Sequence, residues 1–298
     1  MEDNLLPKYP PTQKKKSGIR MLLSLLLYLG IGWLIFPNSM MLLAITSIVF
    51  VHEMGHLIAM RVFGYKDTSV LFIPFLGGLA TGSKREISQY QSAIVILAGP
   101  LPGILAGSIL LFSGSFSPEI NWYGTVIILL NGLNLLPIYP LDGGQLLNRV
   151  FLDEEGWLSR LFLLLSSLLL AIVAIHFKLY PLLLFPILFL WQLRPDKLGA
   201  ILEKEITARG INTDLDYEQL PDEDYWKLRS ILIEFHPMCK NISPARDRYD
   251  DNEERVQQLV QSLLHRQLLQ DLSGWGKLVI GIIWGIALLL TLQYAILN

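Results

Sequence analysis

Long apolar runs separated by short polar loops dominate the pattern of this chain. Each run is long enough, or nearly long enough, to cross the roughly 30 Å hydrocarbon core of a bilayer as a helix. The run at 180–193 is the shortest. The pattern predicts seven transmembrane helices, at residues 19–36, 40–63, 91–112, 122–136, 157–177, 180–193 and 278–297.

The composition supports a membrane setting. Of the 298 residues, 52% are hydrophobic and 17% are charged, and the mean hydropathy is positive at +0.44. Soluble domains of this length are rarely so apolar. We therefore predict an all-α multi-pass membrane protein.

Basic residues indicate which loops face the cytoplasm, because short cytoplasmic loops carry an excess of lysine and arginine. Four basic residues lie within 14–20 and four more within 61–85, whereas the loop at 37–39 has none. This distribution predicts a cytoplasmic N-terminus. The short N-terminal segment lacks an organellar transit pattern, so we interpret the location as a prokaryotic plasma membrane.

Charged residues gather in one region, 194–274, where apolar residues recur at helical spacing. This pattern predicts a small helical module, which the charge distribution places in the cytoplasm. The predicted organisation is a cytoplasmic tail at 1–18, a transmembrane core at 19–193, a cytoplasmic helical region at 194–274 and a last transmembrane helix at 275–298.

A non-helical stretch at 65–82 interrupts the apolar pattern. It combines residues that favour strands with helix breakers, among them Pro74, Gly77 and Gly78. Apolar non-helical backbone at membrane depth must pack on protein or line a cavity. We therefore expect a membrane-associated β-hairpin here, with a plain connecting loop as the alternative.

The second apolar run contains the motif His-Glu-Met-Gly-His at residues 52–56. Ionisable side chains are costly at membrane depth, so three of them in five positions point to a function. Residues four apart share one face of a helix, so both imidazoles can reach one metal ion while Glu53 stands beside it as a base. The motif predicts a hydrolytic zinc site inside a bilayer.

Zinc needs at least one further protein ligand. The depth of each candidate in the membrane distinguishes them. The motif should lie in the inner half of its span, so the third ligand must lie there too. Asp142 follows the fourth run at its inner end, whereas His176 ends the fifth run on the outer side, and Glu86 lies in a basic, solvated loop. These considerations favour Asp142 among the candidates Asp142, His176, Glu86, His236 and His265.

The segment before Asp142 cannot form a continuous helix, because Pro137 and Pro140 interrupt it and Gly143 and Gly144 follow. Freed backbone groups together with Asn134 at membrane depth indicate a polar cavity lined by protein. A reaction that consumes water requires such a cavity.

The two motifs, at 52–56 and 134–143, together resemble those of the site-2 proteases, the intramembrane zinc metalloproteases. The resemblance covers about 19–193, and the segments 72–78 and 98–100 are similar to family landmarks. It implies that His52, His56 and Asp142 bind one zinc ion per chain, that Glu53 is the catalytic acid and base, that Asn134 lies at the active site, and that Gly77 and Gly78 contact substrate. Residues 102 and 103, Pro-Gly, depart from the asparagine that family members often carry, and we assign them no role.

The function that this resemblance implies is hydrolysis of peptide bonds in or near transmembrane segments, in regulated intramembrane proteolysis. The expected partners are a transmembrane protein substrate and membrane lipid, with no nucleic acid, and a homo-oligomer is compatible with the chain. Two alternatives stay open: a zinc-binding scaffold without proteolytic activity, against which the intact Glu53 argues, and an ion transporter.

Overall fold

The structure is a computed structural model that describes residues 6–11, 17–36, 38–74, 77–84, 86–112, 117–152, 156–192, 197–245, 248–264 and 267–297. The chain divides into two compact units. The membrane unit comprises Lys16–Leu193 and Leu268–Asn298, and the helical unit comprises Met1–Lys15 and Arg194–Gln267.

Twelve α-helices form most of the described structure. They are α1 (Ser17–Ile35), α2 (Ser39–Val62), α3 (Gln89–Ala98), α4 (Pro100–Phe112), α5 (Pro118–Asn134), α6 (Asp142–Leu146), α7 (Trp157–His176), α8 (Leu184–Gln192), α9 (Lys197–Ala208), α10 (Asp222–Phe235), α11 (Glu253–Leu263) and α12 (Gly274–Leu297).

Within the described residues, five helical stretches are long and apolar enough to cross a membrane. They are Gly18–Ile35, Ser39–Val62, Gln89–Phe112, Trp157–His176 and Gly274–Ile296. The predicted runs at 122–136 and 180–193 correspond to the shorter helices α5, of 17 residues, and α8, of 9 residues. The chain is thus a mainly helical integral membrane protein.

Large apolar side chains cover the outer faces of the long helices. Leu34 on α1, Ile172 on α7 and Ile296 on α12 are each more than half exposed. Contiguous exposed apolar surface of this extent marks contact with lipid or protein rather than with water. Apolar faces of this kind are suited to contact with the acyl chains of a bilayer.

The predicted β-hairpin is confirmed, with strands β1 (Lys66–Ile73) and β2 (Gly77–Ser83) paired antiparallel. Gly77 has φ +94°, a conformation in which a side chain would be strained. Val70 and Phe72 point inward and pack with apolar residues of α1 and α2. The Phe72 N–H donates to Ser24 Oγ of α1 at 3.1 Å, which fixes the hairpin beside these helices.

Two breaks divide the remaining apolar helices. The predicted span at 91–112 consists of α3 and α4, separated at Gly99. As the prolines predict, α5 ends at Asn134, and the chain runs without helix from 135 to 141 before α6. Gly143 allows the start of α6 to pack against the end of α5, because an added Cβ at residue 143 would lie 1.9 Å from the Leu135 carbonyl oxygen.

Two further short strands, β3 (Glu86–Ser88) and β4 (Gln267–Leu269), precede α3 and α12. The Ser88 hydroxyl and the Tyr90 N–H both donate to the carboxylate of Asp271. Partial burial alone would raise the pKa of Asp271, but these hydrogen bonds hold it below its usual range. The beginnings of α3 and α12 are thereby linked.

The helical unit has its own core, formed where α9, α10 and α11 meet. At its centre, Arg229 makes a two-point ion pair with Glu253, at 2.8 and 3.0 Å, and the Tyr225 hydroxyl donates to the same carboxylate at 2.6 Å. Burial and the neighbouring carboxylate raise the pKa of Tyr225 above its usual range. All three helices lie within the region 194–274, where apolar residues recur at helical spacing.

Candidate metal centre and active site

The motif His-Glu-Met-Gly-His lies within α2, where helical periodicity turns its three ionisable side chains to one side. His52, Glu53 and His56 are all buried, none more than 8% exposed. The two Nε2 atoms lie 3.1 Å apart. Helical spacing alone therefore brings the two imidazoles to a common point.

Asp142, the first residue of α6, completes this cluster from a distant part of the chain. Its Oδ2 atom lies 3.0 Å from His52 Nε2 and 3.4 Å from His56 Nε2. One ligand atom from each residue lies within 4.8 Å of the others, so the three could hold a metal ion. We call these three residues the metal cluster.

The outer hydrogen bonds of the two histidines determine where their protons lie. His56 Nδ1 is 2.7 Å from the Val95 carbonyl oxygen, which can only accept, so Nδ1 carries the hydrogen. His52 Nδ1 is 2.8 Å from Asn131 Oδ1. The Asn131 amide donates to the Ile127 carbonyl at 2.8 Å, which leaves Oδ1 to accept from His52.

When Nε2 carries no hydrogen, both rings point its lone pair at the Asp142 carboxylate. Three electron-rich atoms then face one another with no hydrogen between them, and among the described residues no hydrogen bond reaches Asp142 Oδ2. The short N–O distances are consequently unfavourable unless a cation occupies the centre. The donor set and its outer hydrogen bonds are those of a metal site, so the residues fit a zinc ion.

Glycines keep backbone close to this cluster. An added Cβ at Gly99 would lie 2.3 Å from His56 Nε2, so the space before that nitrogen stays open only because residue 99 has no side chain. At Gly55, on α2, an added Cβ would lie 2.1 Å from the Ala98 carbonyl oxygen. Both glycines allow α2 and the α3–α4 break to approach at the histidines.

Glu53 lies between the metal cluster and the hairpin. Its carboxylate interacts electrostatically with His52, His56 and Asp142, and it accepts a hydrogen bond from the backbone N–H of Ala80. An added Cβ at Gly78 would lie 2.2 Å from Glu53 Cγ, so β2 runs directly against this side chain. The arrangement places a buried carboxylate next to the cluster without making it part of the ligand set.

The other candidates lie elsewhere. Asn134 is half-buried at the end of α5, and its side chain makes no hydrogen bond with the described residues. His176 is exposed at the end of α7, and His236 Nδ1 accepts a hydrogen bond from the Met238 N–H. The residue His265 and the side chain of Glu86 lie outside the described part of the chain.

Asn131 is the site residue that sequence reasoning missed. It lies one helical turn before Asn134, in the same apolar run. A polar amide at membrane depth is costly at either position, so the argument that singled out Asn134 applies equally to Asn131. Gly103, to which the sequence assigned no role, gives it room: an added Cβ there would lie 2.3 Å from Asn131 Nδ2. The hydrogen bond to His52 makes Asn131 a positioning residue of the cluster.

The fold and the site together define a class: an integral membrane protein whose spanning helix carries a metal cluster of the metalloprotease type. Residues 40–119 match the model of peptidase family M50. The chain is 32% identical over 146 residues to a zinc metalloprotease of Methanocaldococcus jannaschii, covering 45% of this chain and 42% of that protein. It is 33% identical over 118 residues to stage IV sporulation protein FB of Bacillus subtilis, covering 37% of this chain and 40% of that protein.

The alignments thus span about two fifths of the length of these curated relatives. A solved structure, the site-2 protease from Methanocaldococcus jannaschii, is similar with a TM-score of 0.42 and 20% identity, over 60% of this chain and 91% of that one. The family and sequence matches confirm the resemblance predicted from the two motifs. Part of the membrane core of this chain is therefore similar to peptidase family M50 and to curated zinc metalloproteases.

Proposed function

We propose that this chain is an intramembrane zinc metalloendopeptidase that hydrolyses peptide bonds in or near transmembrane segments of other proteins. The observation that carries this proposal is the convergence of His52, His56 and Asp142 on one point, with Glu53 beside them. Family M50 and the zinc metalloprotease relative support the same activity. One zinc ion per chain would be held by the three residues of the metal cluster.

A zinc ion in such a site supplies Lewis acidity, which polarises a peptide carbonyl and makes water more acidic. Glu53 is placed to accept the proton of the attacking water and then to donate it to the amine that leaves. The Ala80 N–H orients its carboxylate, while Asn131 and the Val95 carbonyl orient the imidazoles. These groups keep the base and the ligands in place, so little reorganisation accompanies the reaction.

The substrate class follows from the location of the site. A helical transmembrane segment hides its peptide bonds, so it must unwind locally before cleavage. The unwound backbone could add to the hairpin as a further strand, with main-chain hydrogen bonds fixing its register. Gly77 and Gly78 begin the strand that runs past Glu53, which supports a role for them in admitting an extended substrate. Asn134, half-buried near the α5 break, stays a candidate substrate anchor.

We also propose the number of spans, their orientation and the type of membrane that the sequence predicts. Helices α5 and α8 would complete seven spans, the N-terminus and the region 194–274 would face the cytoplasm, and the membrane would be a prokaryotic plasma membrane. The basic residues near 14–20 and 61–85 support this orientation. Regulated proteolysis is the process in which such an enzyme would act.

The test compares the wild type with Glu53→Gln, purified in detergent with a tagged single-span reporter whose transmembrane segment carries a Gly-Pro pair. Glu53→Gln should bind zinc as the wild type does and should stop cleaving the reporter, because the amide cannot accept the proton. Glu203→Gln, on the exposed face of α9, is the matched control and should cleave normally. Cleavage by Glu53→Gln at the wild-type rate would overturn the assigned mechanism. A scaffold or a transporter would show no zinc-dependent cleavage in any of the three proteins.

A further inference from the structure

A proline-rich segment of the helical unit has no part in the proposed proteolysis. Residues 6–11 read Leu-Pro-Lys-Tyr-Pro-Pro and contain the pattern P-x-x-P. Each proline fixes its own φ near −65° and restricts the residue before it. Such a segment favours the polyproline II conformation, and ordering it costs little conformational entropy.

Three aromatic side chains of the helical unit each donate one hydrogen bond to a backbone carbonyl of this segment. The pairs are Trp226 Nε1 with the Leu6 oxygen at 2.7 Å, the Tyr249 hydroxyl with the Pro7 oxygen at 2.6 Å, and the Tyr217 hydroxyl with the Tyr9 oxygen at 2.6 Å. Aromatic grooves recognise P-x-x-P ligands in the same way, with donors directed at the carbonyls.

Lys8 adds contacts that depend on its side chain. Its Nζ donates to the carbonyl oxygens of Glu218, at 2.8 Å, and Leu220, at 2.6 Å, and lies 5.6 Å from the centre of the Tyr217 ring. Its backbone N–H donates to Asp222 Oδ1 at 2.9 Å. The groove therefore favours a ligand that has a positively charged side chain between the two prolines of the pattern.

The floor of this groove is held by the core beneath it. The rings of Trp226 and Tyr249 are parallel, with centroids 6.3 Å apart, and the Tyr9 ring meets Tyr249 edge-on at 5.3 Å. The guanidinium of Arg229 lies 4.8 Å from the centre of the Trp226 ring and is itself fixed by Glu253. A receptor surface held in this way needs no rearrangement to accept a ligand.

We propose that the helical unit is a receptor for proline-rich segments of the type P-K-x-P, and that residues 6–11 are its internal occupant. The aromatic donors bind backbone carbonyls, which every segment of that conformation presents, and the lysine contacts supply the selectivity. A segment with this pattern in a partner protein competes with the internal one for the groove. The helical unit thereby gives the chain a docking site that a protein ligand can open.

The experiment uses the full chain in detergent and a fluorescein-labelled peptide with the sequence of residues 5–12. In the opened variant, Pro7→Ala, Lys8→Glu and Pro10→Ala together disable the internal segment. The tethered internal segment acts at an effective concentration of about 1 mM. If the open groove binds either segment with a Kd of about 100 µM, the internal segment should weaken peptide binding to the wild type about tenfold relative to the opened variant. Fluorescence anisotropy measures both affinities.

Two controls locate the binding. Tyr249→Phe in the opened variant keeps the ring but removes the donor to the proline carbonyl, and should weaken binding severalfold. A peptide in which glutamate replaces the lysine should not bind, because its carboxylate would face the carbonyl oxygens of Glu218 and Leu220 that accept from the Lys8 ammonium group. Protection of the buried Cys239 from thiol reagents shows that each variant is folded.

The proposal is overturned if the folded opened variant fails to bind the peptide, or if the wild type binds it equally well. Unchanged binding by Tyr249→Phe, or by the glutamate peptide, would also overturn it, because binding would then occur elsewhere. None of these measurements needs zinc or proteolysis, so they succeed or fail independently of the proposed enzyme activity.

Discussion

The replacement Asn131→Ala tests whether a buried amide orients the metal cluster. In the folded chain, Asn131 Oδ1 lies 2.8 Å from His52 Nδ1 and accepts its hydrogen. Alanine removes this acceptor and leaves a buried N–H without a partner, which costs about 1–3 kcal/mol. The ring then loses its fixed orientation, so Nε2 no longer points steadily at the centre of the cluster.

Loss of such an outer partner typically weakens metal affinity about 10- to 100-fold, or about 1.4–2.7 kcal/mol. That range agrees with the cost of the unpaired donor, so we expect zinc affinity to fall by this factor. Competition between the purified chain and a chromogenic zinc chelator measures it. Asn131→Asp keeps an acceptor at the same place and should retain most of the affinity.

The matched control is Asn134→Ala, one turn further along α5. Because the side chain of Asn134 makes no hydrogen bond with the described residues, its loss should leave zinc affinity unchanged. Equal zinc affinity in Asn131→Ala and the wild type would refute the reasoning, as would a loss of zinc in Asn134→Ala that equals the loss in Asn131→Ala.

Two further predictions concern the glycine beside the cluster and the ion pair of the helical unit. Gly99→Ala places a Cβ 2.3 Å from His56 Nε2 and should abolish zinc binding. The control Gly285→Ala, whose added Cβ meets nothing within 4 Å, should bind zinc normally. Equal zinc contents in the two variants would contradict the close approach of residue 99 to the metal cluster. Glu253→Gln breaks a buried ion pair, which costs about 3–5 kcal/mol, so modification of Cys239 through local opening should accelerate about 10²- to 10⁴-fold. The exposed neighbour Glu254→Gln should leave that rate unchanged, and equal rates in both variants would refute the role of the ion pair.

That thiol assay rests on one property of the chain, its single cysteine. Cys239 is fully buried in the core of the helical unit, and burial raises the pKa of its thiol. Both properties slow its reaction in the folded state, since the thiolate is the nucleophile. Reaction with a thiol reagent therefore reports opening of this unit alone.

The parts of the site that follow from local periodicity or from the chemistry of prolines could be predicted from the sequence. Helical spacing brings His52 and His56 together, and the depth of the spans selects Asp142 as the distant partner. The hairpin also follows, because strand-forming residues and glycines interrupt an apolar pattern. Each of these features depends on neighbouring residues or on the thickness of the membrane, both of which a sequence reveals.

Features that depend on contacts between distant segments could not be predicted. Asn131 and Asn134 are equivalent by composition and depth, and only packing against Gly103 and His52 separates them. The seven predicted spans include α5 and α8, whose helical lengths of 17 and 9 residues are set by the breaks around them. Nothing in the local pattern of residues 6–11 indicated that they would occupy a groove more than 200 positions away.

The metal content of the purified wild-type chain tests the central claim most directly. Elemental analysis after exchange into metal-free buffer should find one zinc ion per chain, and Asp142→Asn, which lowers the charge of the third ligand, should lose most of it. This result follows from three lone pairs that face one another across 3.0 to 3.4 Å. A wild-type chain that holds no zinc, or one whose zinc is unaffected by Asp142→Asn, would contradict the account.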